Sequence, residues 1–203
     1  VPSWLTFTAS TGVLTGTPTN DNVGTNGNAV VLTITDAAGE SVTDSFTITV
    51  ANTNDAPSFS STPVTTAQED DVYTYTAVGT DMDADDTFSL GSSNVPSWLT
   101  FTDTTGVLTG TPTNSDVGTH SVTLTVTDAA GATGTQTFTI TVSNANDAPT
   151  VTSTAITSAT EDAVYTYTLT GADADVGDVL TMSGTTVPSW LTFTASTGVL
   201  TGT

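Results

Sequence analysis

Acidic side chains recur at matching positions along the chain, and they are the residues best able to do chemistry. They lie in ANTNDAP (51–57) and SNANDAP (143–149), in DMDADD (81–86) and DADVGD (173–178), in Glu-Asp pairs at 69–70 and 161–162, and in TDAAG at Asp36 and Asp128. Hard cations such as Ca²⁺ take about six to eight oxygens from carboxylates, Asn side chains and backbone carbonyls. An alternating D-x-D loop can turn two carboxylates toward one ion. Asp and Asn are also common in solvated turns, but three clusters recurring in register favour cation binding.

The chain carries no Lys or Arg that could pair with these acids. It has 21 acids, one His, no Cys and a formal net charge of −21. Folding brings like charges together, which opposes the compact state, so compensating charge must come from solution. A chain without basic residues cannot neutralise phosphates, which excludes nucleic acid and disfavours anionic membrane surfaces. No apolar stretch is long enough for membrane insertion, and disulfides are excluded.

The residues with catalytic potential do not form a catalytic constellation. His120 is the single candidate base for a Ser or Thr nucleophile, and an exposed His at a strand edge is the simpler interpretation. Zinc sites need several His or Cys ligands, and no phosphate-binding loop or dinucleotide fingerprint occurs. Paired carboxylates could serve glycoside hydrolysis, but acids that recur with every repeat fit a structural role better. We therefore predict that the chain is not an enzyme.

Internal repetition sets the architecture that positions the acids. VPSWLTF begins at Val1, Val95 and Val187, and NDAP begins at Asn54 and again 92 residues later at Asn146. This period is too long for a solenoid unit and matches one small sandwich domain. The polar NDAP segment, closed by a Pro, is the natural boundary. The predicted domains are the C-terminal part of repeat one (1–54), a complete repeat (55–146) and the N-terminal part of repeat three (147–203).

Short segments that alternate apolar and hydroxyl residues predict an all-β fold. In the complete repeat they are 72–78, 87–90, 98–101, 106–110, 120–127 and 135–143. Within SVTLTVT, the residues Val122, Leu124 and Val126 share one face. With a further strand near 58–66, each repeat has about seven strands, which indicates tandem immunoglobulin/cadherin-like Greek-key β-sandwich domains. An Asn-Gly insertion in the first copy, between Thr25 and Asp36, is predicted to lengthen a hairpin loop.

The order of these motifs resembles a known family. Each copy runs from a Glu-Asp pair through a Tyr-rich strand, a D-x-D loop, PSWLTF and TGVLTGTP to VTDAAG and NxNDAP. This order resembles the cadherin-like domains of dystroglycan type. It is similar also to the immunoglobulin-like tandem repeats of bacterial haemagglutinins and giant surface adhesins, and the resemblance covers the whole chain. The resemblance implies that Ca²⁺ binds at the junctions between successive domains.

The resemblance also implies which residues hold the ions. At the first junction the implied ligands are Asn52, Asn54, Asp55, Asp81, Asp83 and Asp128. At the second junction they are Glu69, Asn144, Asn146, Asp147, Asp173 and Asp175. The chain departs from cadherins at TGTP (109–112), which stands where cadherins carry an acidic Asp-Arg-Glu motif. We therefore expect about one or two ions per junction rather than a full three-ion cluster.

The aromatic stretch PSWLTF offers a second candidate site. Strand alternation places Leu99 and Phe101 on the core face and Trp98 on the other. Trp98 and its counterparts Trp4 and Trp190 have two interpretations. They could cap the open end of each sandwich, or they could lie exposed and stack on a sugar ring or a neighbouring chain.

Two functions follow from these observations. The first is structural: a calcium-rigidified repeat segment of a bacterial adhesin stalk or extracellular filament, whose partners are neighbouring identical repeats and, by lateral or end-to-end self-association, other filaments. The alternative is a carbohydrate-binding or accessory module that uses the repeated Trp to stack on surface glycans. Both functions place the protein outside the cell, secreted or at the cell surface.

Overall fold

The computed structural model describes residues 1–83 and 86–203. Asp85, which belongs to the predicted DMDADD cluster, lies outside the described residues. Within these ranges the chain forms β-strands and two single-turn 3₁₀ helices, Asn20–Asn22 and Asn114–Asp116. None of the described helices is long and apolar enough to cross a membrane. The fold is all-β, as predicted.

The strands follow the repeats. Those of the first copy are β1 (Leu5–Thr8), β2 (Val13–Gly16), β3 (Ala29–Thr35) and β4 (Ser41–Thr47). Those of the middle copy are β5 (Ser58–Phe59), β6 (Thr66–Gln68), β7 (Tyr73–Thr76), β8 (Gly79–Thr80), β9 (Phe88–Asn94), β10 (Leu99–Thr102), β11 (Val107–Gly110), β12 (Gly118–Asp128) and β13 (Thr133–Ser143). Those of the third are β14 (Thr150–Val151), β15 (Tyr165–Thr168), β16 (Gly171–Ala172), β17 (Leu191–Thr194) and β18 (Val199–Gly202).

The chain divides into two compact units. The first unit comprises Val1–Val64, Thr74–Thr109 and Ser121–Phe138. In it, β1 pairs with β2, β3 with β4, β5 with β8 and β9 with β12, all antiparallel. β11 lies between β7 and β10, and β12 lies between β9 and β13.

The core of the first unit shows the predicted alternation. Val122, Leu124 and Val126 of β12 are fully buried, and the Thr residues between them are half-buried. Tyr75 packs edge-on against Phe138, with ring centroids 5.7 Å apart. Burying these apolar side chains stabilises the unit because it removes their surface from water.

The second unit comprises Thr65–Tyr73, Gly110–His120 and Thr139–Thr203. In it, β6 pairs in parallel with residues Thr141–Ser143 of β13. β14 pairs with β16, and β18 lies between β15 and β17. Ile140 and Val142 of β13 are buried at 0% and 2% exposure, so the alternation seen in β12 recurs in this strand.

The repeated TGV turn explains one glycine of the motif TGVLTG. Gly106 has φ +69°, a left-handed conformation that non-glycine residues rarely adopt. A Cβ at this position would also lie 2.3 Å from the carbonyl oxygen of Ala77. Gly12 and Gly198, at the same place in the other copies, have φ +68° and +70°.

The Asn-Gly insertion of the first copy does not lengthen a hairpin loop, so that prediction is wrong. The turn at Asn26 and Gly27 lies just before β3, between the isolated bridge of Gly24 with Val50 and the start of the strand at Ala29. The β3–β4 connection is the five-residue segment 36–40, and the β12–β13 connection has the related sequence at 129–132. The insertion therefore interrupts a strand, and it brings Asn28 into the interior at 0% exposure.

Candidate metal centre

Three carboxylates of the first unit converge at the end of β12. Asp81 follows β8, Asp128 closes β12, and Asp86 lies in the segment before β9. One oxygen of each lies within 4.8 Å of the others. No Lys or Arg exists in the chain to offset their charge, so this cluster can bind a cation from solution or must remain mutually repulsive.

Local hydrogen bonds shape the loop that carries two of these acids. The backbone N–H of Asp83 donates to Asp81 Oδ1 at 2.9 Å, and the N–H of Asp86 donates to the Asp83 carbonyl at 3.3 Å. On the other side of the cluster, Asp128 Oδ1 accepts the N–H of Ala132 at 2.7 Å. The hairpin that follows β12 therefore fixes the orientation of Asp128.

The linker segment reaches the same cluster through two hydrogen bonds. Asn54 Nδ2 donates to Asp128 Oδ2 at 2.8 Å, and the N–H of Asp55 donates to Asp83 Oδ2 at 2.7 Å. The amide of Asn54 holds the pKa of the Asp128 carboxyl below its usual range, although burial of the carboxyl acts in the opposite direction. Asp128 is therefore kept ionised, the state that a cation requires.

One oxygen of the cluster and one oxygen of the neighbouring Asp83 are buried without a hydrogen-bond partner among the described residues. They are Asp81 Oδ2 and Asp83 Oδ1. Burying an ionised oxygen without a partner is costly unless an ion or donor satisfies it. These orphaned oxygens, together with the all-oxygen donor set, fit a hard divalent cation.

The second unit repeats this arrangement. Oxygens of Asp173, Asp175 and Asp178 lie within 4.8 Å of one another. The N–H of Asp175 donates to Asp173 Oδ1 at 3.1 Å, and the N–H of Asp178 donates to the Asp175 carbonyl at 3.3 Å. From the linker, Asn144 Nδ2 donates to Asp175 Oδ1 at 2.8 Å and the Asp147 N–H donates to Asp175 Oδ2 at 2.7 Å.

Glu69 is the most deeply buried acid of the second unit, at 1% exposure. It follows β6, and its Oε1 accepts the N–H of Ala145 in the linker at 2.5 Å. Its Oε2 is buried without a partner among the described residues. One carboxylate oxygen of Glu69 is therefore hydrogen-bonded to the linker, and the other could bind a cation.

The structure treats the other predicted linker residues differently. Asn52 is exposed, and the structure shows no hydrogen bond between its side chain and the described acids. Asn146 Nδ2 donates to the carbonyl oxygen of Asp147 at 2.8 Å, a contact within the linker. Among the described residues, neither side chain is hydrogen-bonded to a carboxylate of the two clusters.

Four residues of the two sites were missed by the sequence reasoning. Asp86 and Asp178 join the clusters as the last acids of DMDADD and DADVGD, segments that had been singled out. Asn20 and Asn114 hold the linker aspartates, with Asn20 Nδ2 2.7 Å from Asp55 Oδ2 and Asn114 Nδ2 2.5 Å from Asp147 Oδ2. The signal that could have revealed this second pair is the motif TPTN, at 17–20 and 111–114.

The repeated Trp residues differ in exposure. Trp4 and Trp98 are half-buried, whereas Trp190 is 46% exposed. Trp4 Nε1 donates to Asn28 Oδ1 at 2.9 Å, and Trp190 packs edge-on against Tyr165 with ring centroids 5.9 Å apart. Trp190 is therefore the most exposed of the three indoles, and both interpretations of the repeated Trp stay predictions.

The sequence predicts an exposed His120, but the structure shows that this side chain is half-buried. It lies in β12, and its Nε2 is 2.6 Å from the carbonyl oxygen of Asp116. This contact joins the strand to the 3₁₀ turn at Asn114–Asp116, which precedes it.

Comparison with known proteins identifies the family. The Putative Ig domain family matches residues 1–51, 56–143 and 148–203. The chain belongs to this family. The three Ig-domain matches are separated by residues 52–55 and 144–147, the linker segments that contact the two carboxylate clusters.

The chain is similar to one curated relative and to two solved structures. The chain is 34% identical over 134 residues to the serine-rich adhesin for platelets of Staphylococcus aureus, a match that covers 64% of the chain and 5% of that adhesin. It resembles the extracellular cadherin domains 1–4 of protocadherin gamma B7, with TM-score 0.56, 17% identity, and coverage of 97% of this chain and 54% of that one. It also aligns along its full length with 33% of an endo-fucoidan hydrolase of glycoside hydrolase family 107, at 25% identity and TM-score 0.41.

These findings confirm the predicted class of fold. The chain consists of immunoglobulin/cadherin-like β-sandwich repeats and resembles repeats found in bacterial adhesins. The chain spans about a twentieth of the adhesin it matches. The predicted domain boundaries at 54/55 and 146/147 stay a prediction.

Proposed function

We propose that this chain is a calcium-rigidified repeat segment of a long extracellular adhesin stalk or surface filament. The observation that carries the proposal is the convergence of three carboxylates in each of two clusters, in a chain without Lys or Arg. Each cluster is contacted by a linker segment. A cation bound there would tie the linker to the domain that follows it.

The donor set favours Ca²⁺ over other metals. The candidate ligands are carboxylate and amide oxygens on loops, which suit hard cations, and softer metals would select His or Cys. At the first junction we assign the ion to Asp81, Asp83, Asp86 and Asp128, with Asn54 and Asp55 from the linker. At the second we assign it to Glu69, Asp173, Asp175 and Asp178, with Asn144 and Asp147 from the linker. Asn52 and Asn146 remain predicted ligands, and we expect about one or two ions per junction.

The expected effect on stability is modest, and the effect on stiffness is larger. Extracellular modules bind Ca²⁺ with Kd of about 10⁻⁴ to 10⁻³ M, and a site at ten times its Kd adds about 1.4 kcal/mol to the free energy of unfolding. Short contacts between domains normally permit hinge motion. An ion held by a linker and the following domain would remove part of that freedom.

The adhesin setting rests on sequence similarity and repetition. A chain of near-identical copies, similar to a segment of a staphylococcal adhesin, suits a spacer that extends a binding head from a surface. Its partners would then be the neighbouring repeats and, by lateral or end-to-end association, other copies of the protein. This setting places the segment outside the cell.

A calcium titration of the 203-residue chain tests the proposal. Calorimetry should show Ca²⁺ binding, and scanning calorimetry should show unfolding shifted upward by about 5 °C relative to EDTA. The double variant Asp81→Asn and Asp173→Asn should lose most of both effects. The control Asp103→Asn removes a charge from an exposed turn and should retain them. Absence of binding heat and of any shift in the unmodified chain would refute the calcium proposal.

A carbohydrate-binding function is the second candidate, and the exposure of Trp190 favours it. Its indole lines a shallow depression together with Glu161 and Thr203, and sugars commonly stack on accessible aromatic faces. Titrating bacterial and host glycans against Trp fluorescence, with Trp190→Ala and Trp98→Ala compared, tests this function. Binding that is lost in Trp190→Ala while the fold is retained would support it, and unchanged fluorescence with all glycans would reject it.

A further inference from the structure

The linker aspartates are bound from both sides. Asp147 donates its backbone N–H to Asp175 in the copy that follows, and its Oδ2 accepts from Asn114 in the copy that precedes. Its carbonyl oxygen also accepts from the adjacent Asn146, at 2.8 Å. The backbone N–H, the carbonyl oxygen and Oδ2 of Asp147 therefore all take part in hydrogen bonds.

The first unit contains the same arrangement. The N–H of Asp55 donates to Asp83 at 2.7 Å, and Asp55 Oδ2 accepts from Asn20 Nδ2 at 2.7 Å. The carbonyl oxygen of Asp55 accepts from Asn54 at 3.0 Å. Two repeats of the same chain thus form the same hydrogen-bond network, which indicates that the network is a property of the repeat.

The position of the Asn is set by a rigid local structure. Asn114 begins a 3₁₀ turn whose N-cap is Thr113. Thr113 donates its N–H and its hydroxyl to Asp116 Oδ2 at 2.9 and 2.8 Å, which closes a capping box. The preceding Pro112 is fully buried, and its carbonyl oxygen accepts the N–H of Asp70.

We propose that Asn20 and Asn114 are positioning residues that tie each linker aspartate to the preceding copy without an ion. The amide donor contacts the linker carboxylate directly, so this contact needs no metal. The tie leaves one linker carboxylate oxygen and the following cluster correctly placed for Ca²⁺. This part of the inference rests on the proposed function.

The test measures the distance across the second linker in the full chain. The chain lacks Cys, so spin labels can be placed cleanly at Val72→Cys and Val164→Cys, equivalent positions that are each 73% exposed. In EDTA, molecules whose linker contact is broken should give a broad range of label–label distances. Asn114→Ala should raise the population of these molecules about fivefold, because it removes one hydrogen bond of ordinary net strength. It should also weaken Ca²⁺ binding at this junction by a similar factor. Asn26→Ala, which removes an exposed amide from a turn in the first copy, should change neither.

The variant Asn114→Asp separates positioning from a general loss of stability. A carboxylate beside Asp147 should repel it in EDTA and broaden the distribution more than Asn114→Ala does. Added Ca²⁺ should reverse this broadening, because the new carboxylate can share the ion, whereas Asn114→Ala should recover only in part. A purely structural residue would show no such reversal.

The outcomes for this inference and for the proposed function are distinct. If Asn114→Ala leaves the distribution in EDTA unchanged, the tie is refuted whether or not Ca²⁺ binds. If Asn114→Ala broadens it while Ca²⁺ has no effect on the unmodified chain, the tie stands and the calcium proposal falls. If Ca²⁺ does not narrow the distribution of Asn114→Asp although it binds to the unmodified chain, the positioning role toward the ion is overturned.

Discussion

Neutralising one acid of the second cluster should have opposite effects with and without calcium. Asp178 is the exposed member of the cluster, and its backbone N–H, not its carboxylate, shapes the loop. Asp178→Asn therefore removes a charge and leaves the local hydrogen bond intact. Without divalent ions the variant should be more stable than the unmodified chain, and with saturating Ca²⁺ it should be less stable.

The size of the effect follows from the geometry. One oxygen of each acid lies within 4.8 Å of the others, and two unit charges at that distance repel by about 0.9 kcal/mol in water. Screening at physiological ionic strength reduces that to about 0.5 kcal/mol. Asp178 faces two other acids, so its neutralisation should relieve about 1 kcal/mol. In Ca²⁺ the sign reverses, because the variant loses an anionic ligand and with it part of the binding free energy.

Hydrogen exchange of backbone amides in β15, β17 and β18 is the suitable assay. If the free energy of opening rises by about 1 kcal/mol in EDTA, the population of the open state falls about fivefold, and amide exchange slows by the same factor. In Ca²⁺ the same amides should exchange faster in Asp178→Asn than in the unmodified chain. Glu161→Gln changes charge equally at an exposed acid outside the cluster, so it serves as the matched control.

Two results would refute the reasoning. Faster exchange of Asp178→Asn in EDTA would mean that the carboxylate stabilises the loop by some contact other than an ion. An identical response of Glu161→Gln would mean that net charge, and not the cluster, determines stability.

Three further predictions follow from the described contacts. Leu108→Ala should lower the free energy of unfolding by about 2 to 5 kcal/mol in urea titrations, because the side chain is 0% exposed, and a loss well below 1 kcal/mol would contradict its place in the core. The backbone N–H of Thr113, together with the Thr113 hydroxyl, holds the pKa of the Asp116 carboxyl below its usual range. The folding stability that this carboxylate contributes is present above its unfolded pKa of about 3.9, and it is lost as pH falls through the lower pKa of the folded state. Asp116→Asn, which reproduces the residue of the first copy, should therefore remove this acid-dependent change in the Thr113 amide shift measured by NMR, and persistence of the change would reject the assignment. Asn28→Ala should shift Trp4 emission to the red and destabilise the first copy by about 2 kcal/mol, since it removes a buried acceptor, and an unchanged spectrum would show that the indole does not depend on it.

Sequence periodicity predicts most strands of the middle copy and many of their faces. The strand expected near 58–66 forms instead as the two short strands β5 and β6, and Phe101 on the predicted core face is only half-buried. The alternation in SVTLTVT predicts the burial of Val122, Leu124 and Val126, because a strand turns successive side chains to opposite faces. It could not predict the position of the insertion in the first copy. An Asn-Gly pair indicates a tight turn, but whether that turn closes a hairpin or interrupts a strand depends on how the neighbouring strands pair.

The candidate site was predictable only in part, for a related reason. The D-x-D pattern draws attention to Asp81 and Asp83. Asp81 does join the cluster, but its companion from this loop is Asp86, because the loop turns back on the Asp83 carbonyl. Asn20 contacts Asp55, 35 residues along the chain, and Asn114 contacts Asp147, 33 residues along. The repeated TPTN motif marks both Asn residues, but it does not say which residue each one contacts, and only the three-dimensional fold reveals the partner.

The parallel pairing of β6 with the end of β13 has a mechanical consequence. β6 lies near the start of the middle copy, after the two-residue strand β5, and β13 ends at the second linker. β6 and the end of β13 run side by side in the same direction over Thr66–Gln68 and Thr141–Ser143. Tension applied through the two linkers would pull these strands in opposite directions along their length. Their hydrogen bonds would be loaded in shear and would have to break together, whereas an antiparallel hairpin pulled from its open end unzips one bond at a time. The three-residue ladder between β6 and β13 can therefore resist the unfolding of a repeat under tension.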